Sequence, residues 1–359
     1  NWSITYSMNK NTKVLADPLS EASLPNFARL GINHHSSTSL SYPDGVFVYR
    51  YIICDQETRR LFEGNANMAA GVAVGDALSY RFAKVIWKMN PLTKKLAPVQ
   101  NKVFTDEEAI STAMEKFRKY NPVNQTDEEK FNHYLETIPQ TIKHGFKCIN
   151  ELVGNNHVVC EDVINHIDPR VQLPIVGRTD FSVQDLRGEQ SPPGAHHVAK
   201  TPLKGDLLSV LPAETSMVLE LKTSWSKPMK RKKDGTRSFS SAKLPSLPNK
   251  NHLQQLAFYT EATKVKDPKL VYLCEEGYRI FDKNNCADLI PENLKGNYEQ
   301  LIRAAKRRER LLTRHEHITD TDKMKMELVR DTNPDFEHPF FWRIGKDFVK
   351  QAQDLWNQV

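Results

Sequence analysis

The chain has 359 residues, 39% apolar and 26% charged, with a net charge of +6 at neutral pH. That balance suits a globular protein with one large core or two modest ones, and no apolar run is long enough to span a bilayer. Five cysteines, Cys54, Cys148, Cys160, Cys274 and Cys286, are scattered and include no Cys-x-x-Cys pair, which speaks against a disulfide framework or a structural zinc or iron–sulfur site and for reduced thiols in an intracellular protein.

Asn1 to Lys13 has neither the charged nor the apolar region of a secretory signal, and the stretch to about Leu30 is polar and irregular. Gly45-Val-Phe-Val-Tyr-Arg-Tyr-Ile-Ile53 reads as a strand or a buried helix. A helix is expected from Met68 to Lys88, because Val74, Leu78, Phe82, Val85 and Ile86 fall on one face. Thr105-Asp-Glu-Glu108 and Thr126-Asp-Glu-Glu129 both read as capping boxes opening helices, the second with Pro139 inside it. After Gly154 the pattern turns to strands: Val158-Val-Cys160, Leu173 to Val183 and Met217 to Thr223. A Gly/Pro/His-rich loop, about Leu186 to Thr215, separates the last two, and a basic loop follows from Ser226 to Pro248. A helix from Asn251 to Thr263, a strand pair turning at Glu275-Glu-Gly277, and helices at about Glu292 to His315 and Gly345 to Asn357 complete the chain. The expected fold is α/β with helical additions at both ends.

The chemistry starts on the third strand. Side chains alternate, so Val218, Glu220 and Lys222 share one face while Leu219 and Leu221 share the other. An acid and a base inside an apolar strand are costly unless paired or functional. Alone, the fragment reads more simply as an edge strand with a solvated face. Asp180, set among Ile175, Val176, Phe181 and Val183, changes that weighting. If the two strands are neighbours, Asp180 and Glu220 converge, and two such carboxylates repel unless one is protonated or a cation intervenes. Oxygen ligands of this kind suit Mg²⁺ or Mn²⁺, with the Leu221 backbone carbonyl as one more oxygen. Lys222 is then placed to orient an attacking water and offset developing negative charge. His252, Gln255 and Tyr259 share one face of the following helix. Gln255 is in reach of Lys222 or a phosphate, and Tyr259 of the backbone or a base, unless it is simply a core aromatic.

Taken together, Gly177-x-x-Asp180, Glu220-x-Lys222-Thr223-Ser224 and Gln255-x-x-x-Tyr259 resemble the RecB-type branch of the PD-(D/E)XK nuclease superfamily. Within that branch, Leu219-Glu-Leu-Lys-Thr-Ser224 and Asn251-His-Leu-Gln-Gln-Leu-Ala-Phe-Tyr259 are similar to the mitochondrial genome maintenance exonucleases and their phage-encoded relatives. The resemblance spans roughly residues 155 to 282. It implies a restriction-endonuclease-like αβββαβ core, Mg²⁺- or Mn²⁺-dependent DNA hydrolysis and a preference for single-stranded or flapped ends. It also implies a Gly-x-x-x-His motif on an upstream helix, but in Gly71-Val-Ala-Val-Gly75 a glycine stands at the histidine's place. Asp76 is the candidate substitute ligand, and the departure bears on a second metal more than on the first.

Lys227, Lys230, Arg231, Lys232, Lys233, Arg237, Lys243 and Lys250 follow the Glu220 strand with only Asp234 opposing them. Such a run is often a solvated loop; beside this strand it is expected to hold phosphates. Thr223 and Ser224 are expected to join it, and Trp225 and Phe239 to stack on unpaired bases. A second basic cluster, Lys306-Arg-Arg308 and Arg310 to Arg314, is expected to matter less because Glu309 and Glu316 balance it. His34-His35 and His196-His197 lack partners at metal-ligand spacing and read as loop residues. The expected division is a helical region over 1–154, whose capped helices form either an arch over a single strand or a support for the sheet, a nuclease core over 155–290, and a helical extension over 291–359. The favoured function is a DNA exonuclease acting at single-stranded ends in replication or recombination. A structure-specific or nicking endonuclease using the same residues is the alternative among enzymes, and a catalytically silent DNA-binding module the alternative outside them. The expected location is the cytoplasm, a bacterial host's if the chain is phage-encoded, or otherwise the mitochondrial matrix.

Overall fold

A mixed eight-stranded sheet runs through the centre of the computed structural model, which describes residues 29–55, 58, 65–89, 96–154, 156–184, 215–233, 237–342 and 346–359. The polar N-terminal stretch up to Ala28, the loop expected from Leu186 to Thr215 save its last residue, His196-His197 and Asp234 lie outside these residues. The strands are β1 (His35–Ser36), β2 (Val85–Met89), β3 (Leu96–Gln100), β4 (His157–His166), β5 (Ile175–Gln184), β6 (Thr215–Thr223), β7 (Asp267–Cys274) and β8 (Gly277–Phe281). Their order is β3-β2-β4-β5-β6-β7-β8, with β1 beside β5. Strands β4, β5 and β6 form an antiparallel meander, and β7 returns parallel to β6.

Helices α1 (Asp44–Val48), α2 (Ala66–Phe82), α3 (Asp106–Phe117), α4 (Gln125–Val153), α5 (Lys250–Thr263), α6 (Pro291–Arg314), α7 (Thr321–Arg330), α8 (Pro339–Trp342) and α9 (Lys346–Asn357) surround it. The segment open to either reading is helical: α1 continues as a π-helical turn, Tyr49–Ile53. The expected helix from Met68 to Lys88 is instead α2 followed by β2, because Val85 and Ile86 pair with Val159 and Cys160. Thr105 and Glu108 form the expected capping box, whereas α4 is capped by Asn124, whose side chain accepts from Asp127 N. That frees Glu129 from capping for a use described below.

One face of the sheet carries Phe181, Leu219, Val271 and Leu273 into a cluster with Val74 and Leu78 of α2 and Ile138, Ile142, Phe146 and Ile149 of α4. The other carries Ile175, Val218 and Leu270 against Leu253, Leu256 and Phe258 of α5 and Tyr298 and Leu301 of α6. Ile32, Phe47 and Val48 pack instead with Leu311 and Leu312 of α6 and Met324 and Leu328 of α7. Among the described residues no helix is long and apolar enough to cross a membrane, and all five cysteines are buried free thiols.

Two breaks in this sheet prepare the site. Residues an even number apart in a regular strand share a face, yet Cys160 and Phe181 join the α4-side cluster while Ile164 and Ile175 join the α5-side one. Both strands therefore exchange faces part-way, although their register is continuous from Cys160↔Phe181 to Asp162↔Thr179. Glu161 lies between those pairs, opposite Asp180, with φ of 57°. On β5 the hydroxyls of Thr179 and Ser182 meet at 3.0 Å, a contact across three residues that a regular pleat does not allow. The second break lies between β5 and β6. Their pairing ends at Phe181↔Leu219, and β1 takes over the vacated edge at Ile175 and Val176. The two strands part around Asp180 and Glu220.

Candidate active site

Side chains of both strands fill the wedge where β5 and β6 part. Asp180 Oδ2 accepts from Leu221 N at 2.6 Å, replacing a lost ladder bond with a side-chain one. Glu220, 1% exposed, lies one residue away on β6. Lys222 Nζ donates to Glu220 Oε1 in a short contact and reaches Gln255 Oε1 at 3.4 Å. Gln255 Nε2 donates to Tyr259 OH at 2.7 Å, and that hydroxyl donates to Arg178 O at 2.5 Å. The chain of bonds starts at a backbone carbonyl of β5, crosses α5 and ends on the lysine. It fixes which end of the Gln255 amide faces Lys222.

Gly177 makes the approach of α5 possible. A Cβ there would stand 2.7 Å from Phe258 Cε1 and 2.8 Å from both Ser37 Oγ and Tyr259 Cε1. Tyr259 is wholly buried, so the expectation that it contacts DNA gives way to the plainer one of a core aromatic with a satisfied hydroxyl.

The electrostatics are those of a crowded, dry acid pair. Burial pushes the Asp180 carboxyl up, against the pull of Lys222 and of the Leu221 N–H. Burial, then the nearness of Asp180, pushes Glu220 up to about 8, against Lys222. Burial alone would lower the Lys222 ammonium, but Glu220 and Asp180 outweigh it and hold the charge in place. His252 is pushed down to about 3 by burial and by Lys222, and its Nδ1 meets Tyr272 OH at 2.7 Å. Glu220 Oε2 is buried and has no hydrogen-bond partner. An orphaned carboxylate oxygen beside a second acid is costly unless something else satisfies it.

A third acid stands here that the sequence did not point to. Glu161 pairs with Arg178 Nη1 at 2.9 Å; burial raises its carboxyl, Arg178 opposes, and Asp180 adds to the rise. Reading only Val158 to Cys160 as a strand left Glu161 out, and the left-handed turn that brings it to the wedge has no glycine to announce it.

Helix α2 passes over the end of β6, where a Cβ on Gly71 would stand 3.1 Å from Thr223 Oγ1. Gly75, one turn on, has open space at the position of its missing Cβ. Asp76 is not a free carboxylate: its Oδ2 accepts from Lys116 Nζ of α3 at 2.8 Å, and its charge adds to the rise of the Glu161 carboxyl. Among the described residues no group of three or more His, Cys, Asp or Glu side chains is gathered closely enough to hold a metal ion.

The basic loop is pinned to α4 rather than loose. Arg231 and Arg237 both pair with Glu129, at 2.6 and 3.1 Å. Phe239 stacks on His133 at 4.1 Å, and Trp225, only 8% exposed, packs on Tyr134 at 4.9 Å. Trp225 does not stand free for a base, which corrects the stacking role expected of it, while Phe239 is half-buried with one face taken by His133. Ser224 Oγ donates to Lys243 O at 2.9 Å, holding the loop's far end to the strand. Lys227, Lys230, Lys232, Lys233, Lys243 and Lys250 remain exposed.

No family model matches the chain, and no curated protein matches it. A solved structure, the crystal structure of SSO0001, aligns with a TM-score of 0.26 and 17% identity, over 51% of this chain and 66% of that one. The chain thus spans just under two thirds of that structure's length, and a likeness this slight carries no argument about fold or activity.

Proposed function

We propose that the chain is a divalent-metal-dependent deoxyribonuclease of the PD-(D/E)XK type, acting at single-stranded ends. The observation that carries this is the wedge itself: Asp180 and Glu220 side by side, a buried Glu220 oxygen without a partner, and Lys222 held between Glu220 and Gln255. The order α2, β4-β5-β6, α5, β7, with β7 parallel to β6, supports the αβββαβ reading.

The residues fit Mg²⁺ or Mn²⁺. Mg²⁺ is commonly held by one or two carboxylates and completed by waters and substrate phosphate, so three clustered protein ligands are not required. Asp180 and Glu220 would hold the cation, with the Leu221 carbonyl as a further oxygen and Glu161 facing Asp180 from β4. Bound there, the cation supplies Lewis-acid polarisation of the scissile phosphate and lowers the pKa of an attacking water. Lys222 stays protonated beside two acids, so it serves as a donor to the developing negative charge and not as the general base. Gln255 aims the lysine, and Tyr259 aims Gln255. The exposed lysines of the loop after β6 hold the strand's phosphates.

End-labelled single- and double-stranded DNA incubated with Mg²⁺, with EDTA and with the Lys222→Ala variant tests the reading. The expected result is metal-dependent release of nucleotides that Lys222→Ala abolishes. Cleavage that survives EDTA or the loss of Lys222 would sink it, and cutting of closed circular single-stranded DNA would replace exonuclease by endonuclease.

A further inference from the structure

Helix α6 carries a basic groove that the wedge does not use. Lys306, Arg310 and Arg314 line it at four-residue intervals, each about 6 Å along the helix from the last. Arg170 and Gln172, just ahead of β5, form the opposite wall, and the groove encloses about 500 Å³. In the sequence Glu309 balances these cations; in the fold its carboxylate is buried and pairs with none of them. Glu309 is 5% exposed, accepts from the backbone N–H groups of Gln172 and Leu173 at 2.8 Å each, and meets His35 Nε2 at 3.2 Å. Its carboxylate is taken up by those groups, and it makes no ion pair with Lys306 or Arg310, although Glu309 itself lines the groove. Arg170 is held by Asp168 and Glu299, and Arg314 by Asp331. Among the described residues no acidic side chain pairs with Lys306 or Arg310. Thr313 Oγ1, in the same wall, is buried without a hydrogen-bond partner.

We infer that this groove binds the phosphodiester backbone of a single nucleic-acid strand at a distance from the scissile bond. Two cations without acidic partners one helical turn apart, an unused hydroxyl donor and the Gln172 amide suit repeated phosphates; no aliphatic or aromatic residue lines the groove as a platform for bases. Their spacing along the helix is of the order of that between neighbouring phosphates of an extended strand. Gln172 precedes Asp180 by eight residues, so groove and wedge lie within about 28 Å of each other, near enough for one strand to occupy both. The choice of a nucleic acid as occupant rests on the nuclease reading; the two cations without acidic partners do not.

The test uses the full chain carrying Lys222→Ala, so that nothing is cut, and labelled oligothymidylates of 6 and 30 nucleotides read by anisotropy across a salt series. Adding Lys306→Gln and Arg310→Gln is expected to weaken the 30-mer about fivefold or more and to lower its salt slope by about 1.4, two phosphate contacts at about 0.7 each, while sparing the 6-mer. Both side chains lack acidic partners, and an unchanged melting temperature checks that the fold is kept. An unchanged affinity and slope for the 30-mer would overturn the inference. So would an equal loss for both lengths, or displacement of the 30-mer by inorganic phosphate at matched phosphate concentration, which means a single anion site. Loss of 30-mer binding in a protein whose Lys222-containing form cuts no DNA with Mg²⁺ would uphold the groove and end the nuclease reading alone.

Discussion

Glu161 stands across from Asp180 between β4 and β5, and at that pair both strands exchange the faces they present. A non-glycine residue in the left-handed region costs about 1 kcal/mol or more. Here the distortion coincides with an acid that burial and Asp180 push up and that adds to the rise of Glu220. Shared by both strands, the break leaves the register intact and still re-aims the side chains on each side of it. Strain of this kind collects where a site needs groups that a regular pleat would point apart.

Glu220 makes the metal-free protein sensitive to alkali. Its carboxyl sits at about 8 when folded, against about 4.3 in an unfolded chain. The folded state therefore binds the proton more tightly, and stability falls as pH rises between those two values. Urea denaturation in EDTA from pH 5 to 9 is expected to show that decline. Glu220→Gln should flatten it, leaving the variant more stable at pH 8.5 by on the order of 1–3 kcal/mol, part of the effect being offset by Lys222. A parallel decline in both proteins would assign the effect to other groups.

Gln255 is a positioning residue, and its loss should show in rate more than in binding. Gln255→Ala removes the contact that aims Lys222 and is expected to lower kcat about 10-fold with KM little changed, against about 100-fold or more for Lys222→Ala. Gln255→Glu keeps an acceptor facing the lysine and is expected to recover part of the rate. Equal losses in kcat and substrate affinity would place Gln255 on the DNA instead.

Gly177→Ala tests the close approach of α5. The added methyl meets Phe258, Ser37 and Tyr259 inside 3 Å, and overpacking of this sort costs about 1–3 kcal/mol. A matching fall in thermal stability is expected, together with lost cleavage as Tyr259 is pushed off Arg178. A fully active, fully stable variant would show that α5 can retreat without disturbing Lys222.

Trp225 and the loop lysines should separate cleanly. Trp225→Ala empties a buried site against Tyr134 and is expected to cost about 3–5 kcal/mol. Replacing Lys230, Lys232 and Lys233 by Ala leaves stability unchanged and lowers the salt slope of single-strand binding by about 2, at about 0.7 per contact. Denaturation and anisotropy on the same preparations decide it; a stable Trp225→Ala with weakened DNA binding would restore the stacking role.

The wedge was legible where its residues follow a period. Glu220 and Lys222 sit two apart on a strand, and Gln255 and Tyr259 four apart on a helix, so their shared faces follow from spacing alone. Glu161 was not legible, because its position depends on a broken alternation and on a φ that no glycine marks. The ion pair of Asp76 and the burial of Trp225 were hidden for another reason. Their partners, Lys116 and Tyr134, lie 40 and 91 residues away in sequence, and the composition around each residue says nothing of them. The second capping box misled because Asn124, two residues upstream, is an equally good cap and leaves Glu129 for Arg231 and Arg237.

Where β5 and β6 part, the sheet is splinted by side chains: Asp180 takes the amide of Leu221, and Tyr259 takes the carbonyl of Arg178. The groups proposed for chemistry thus double as the rungs missing from the ladder. An alanine at Asp180 would strip a cation ligand and unfasten a strand in one stroke, and dead protein would then say little about catalysis. Asp180→Asn keeps an acceptor for the amide while removing the charge, so it separates the two duties.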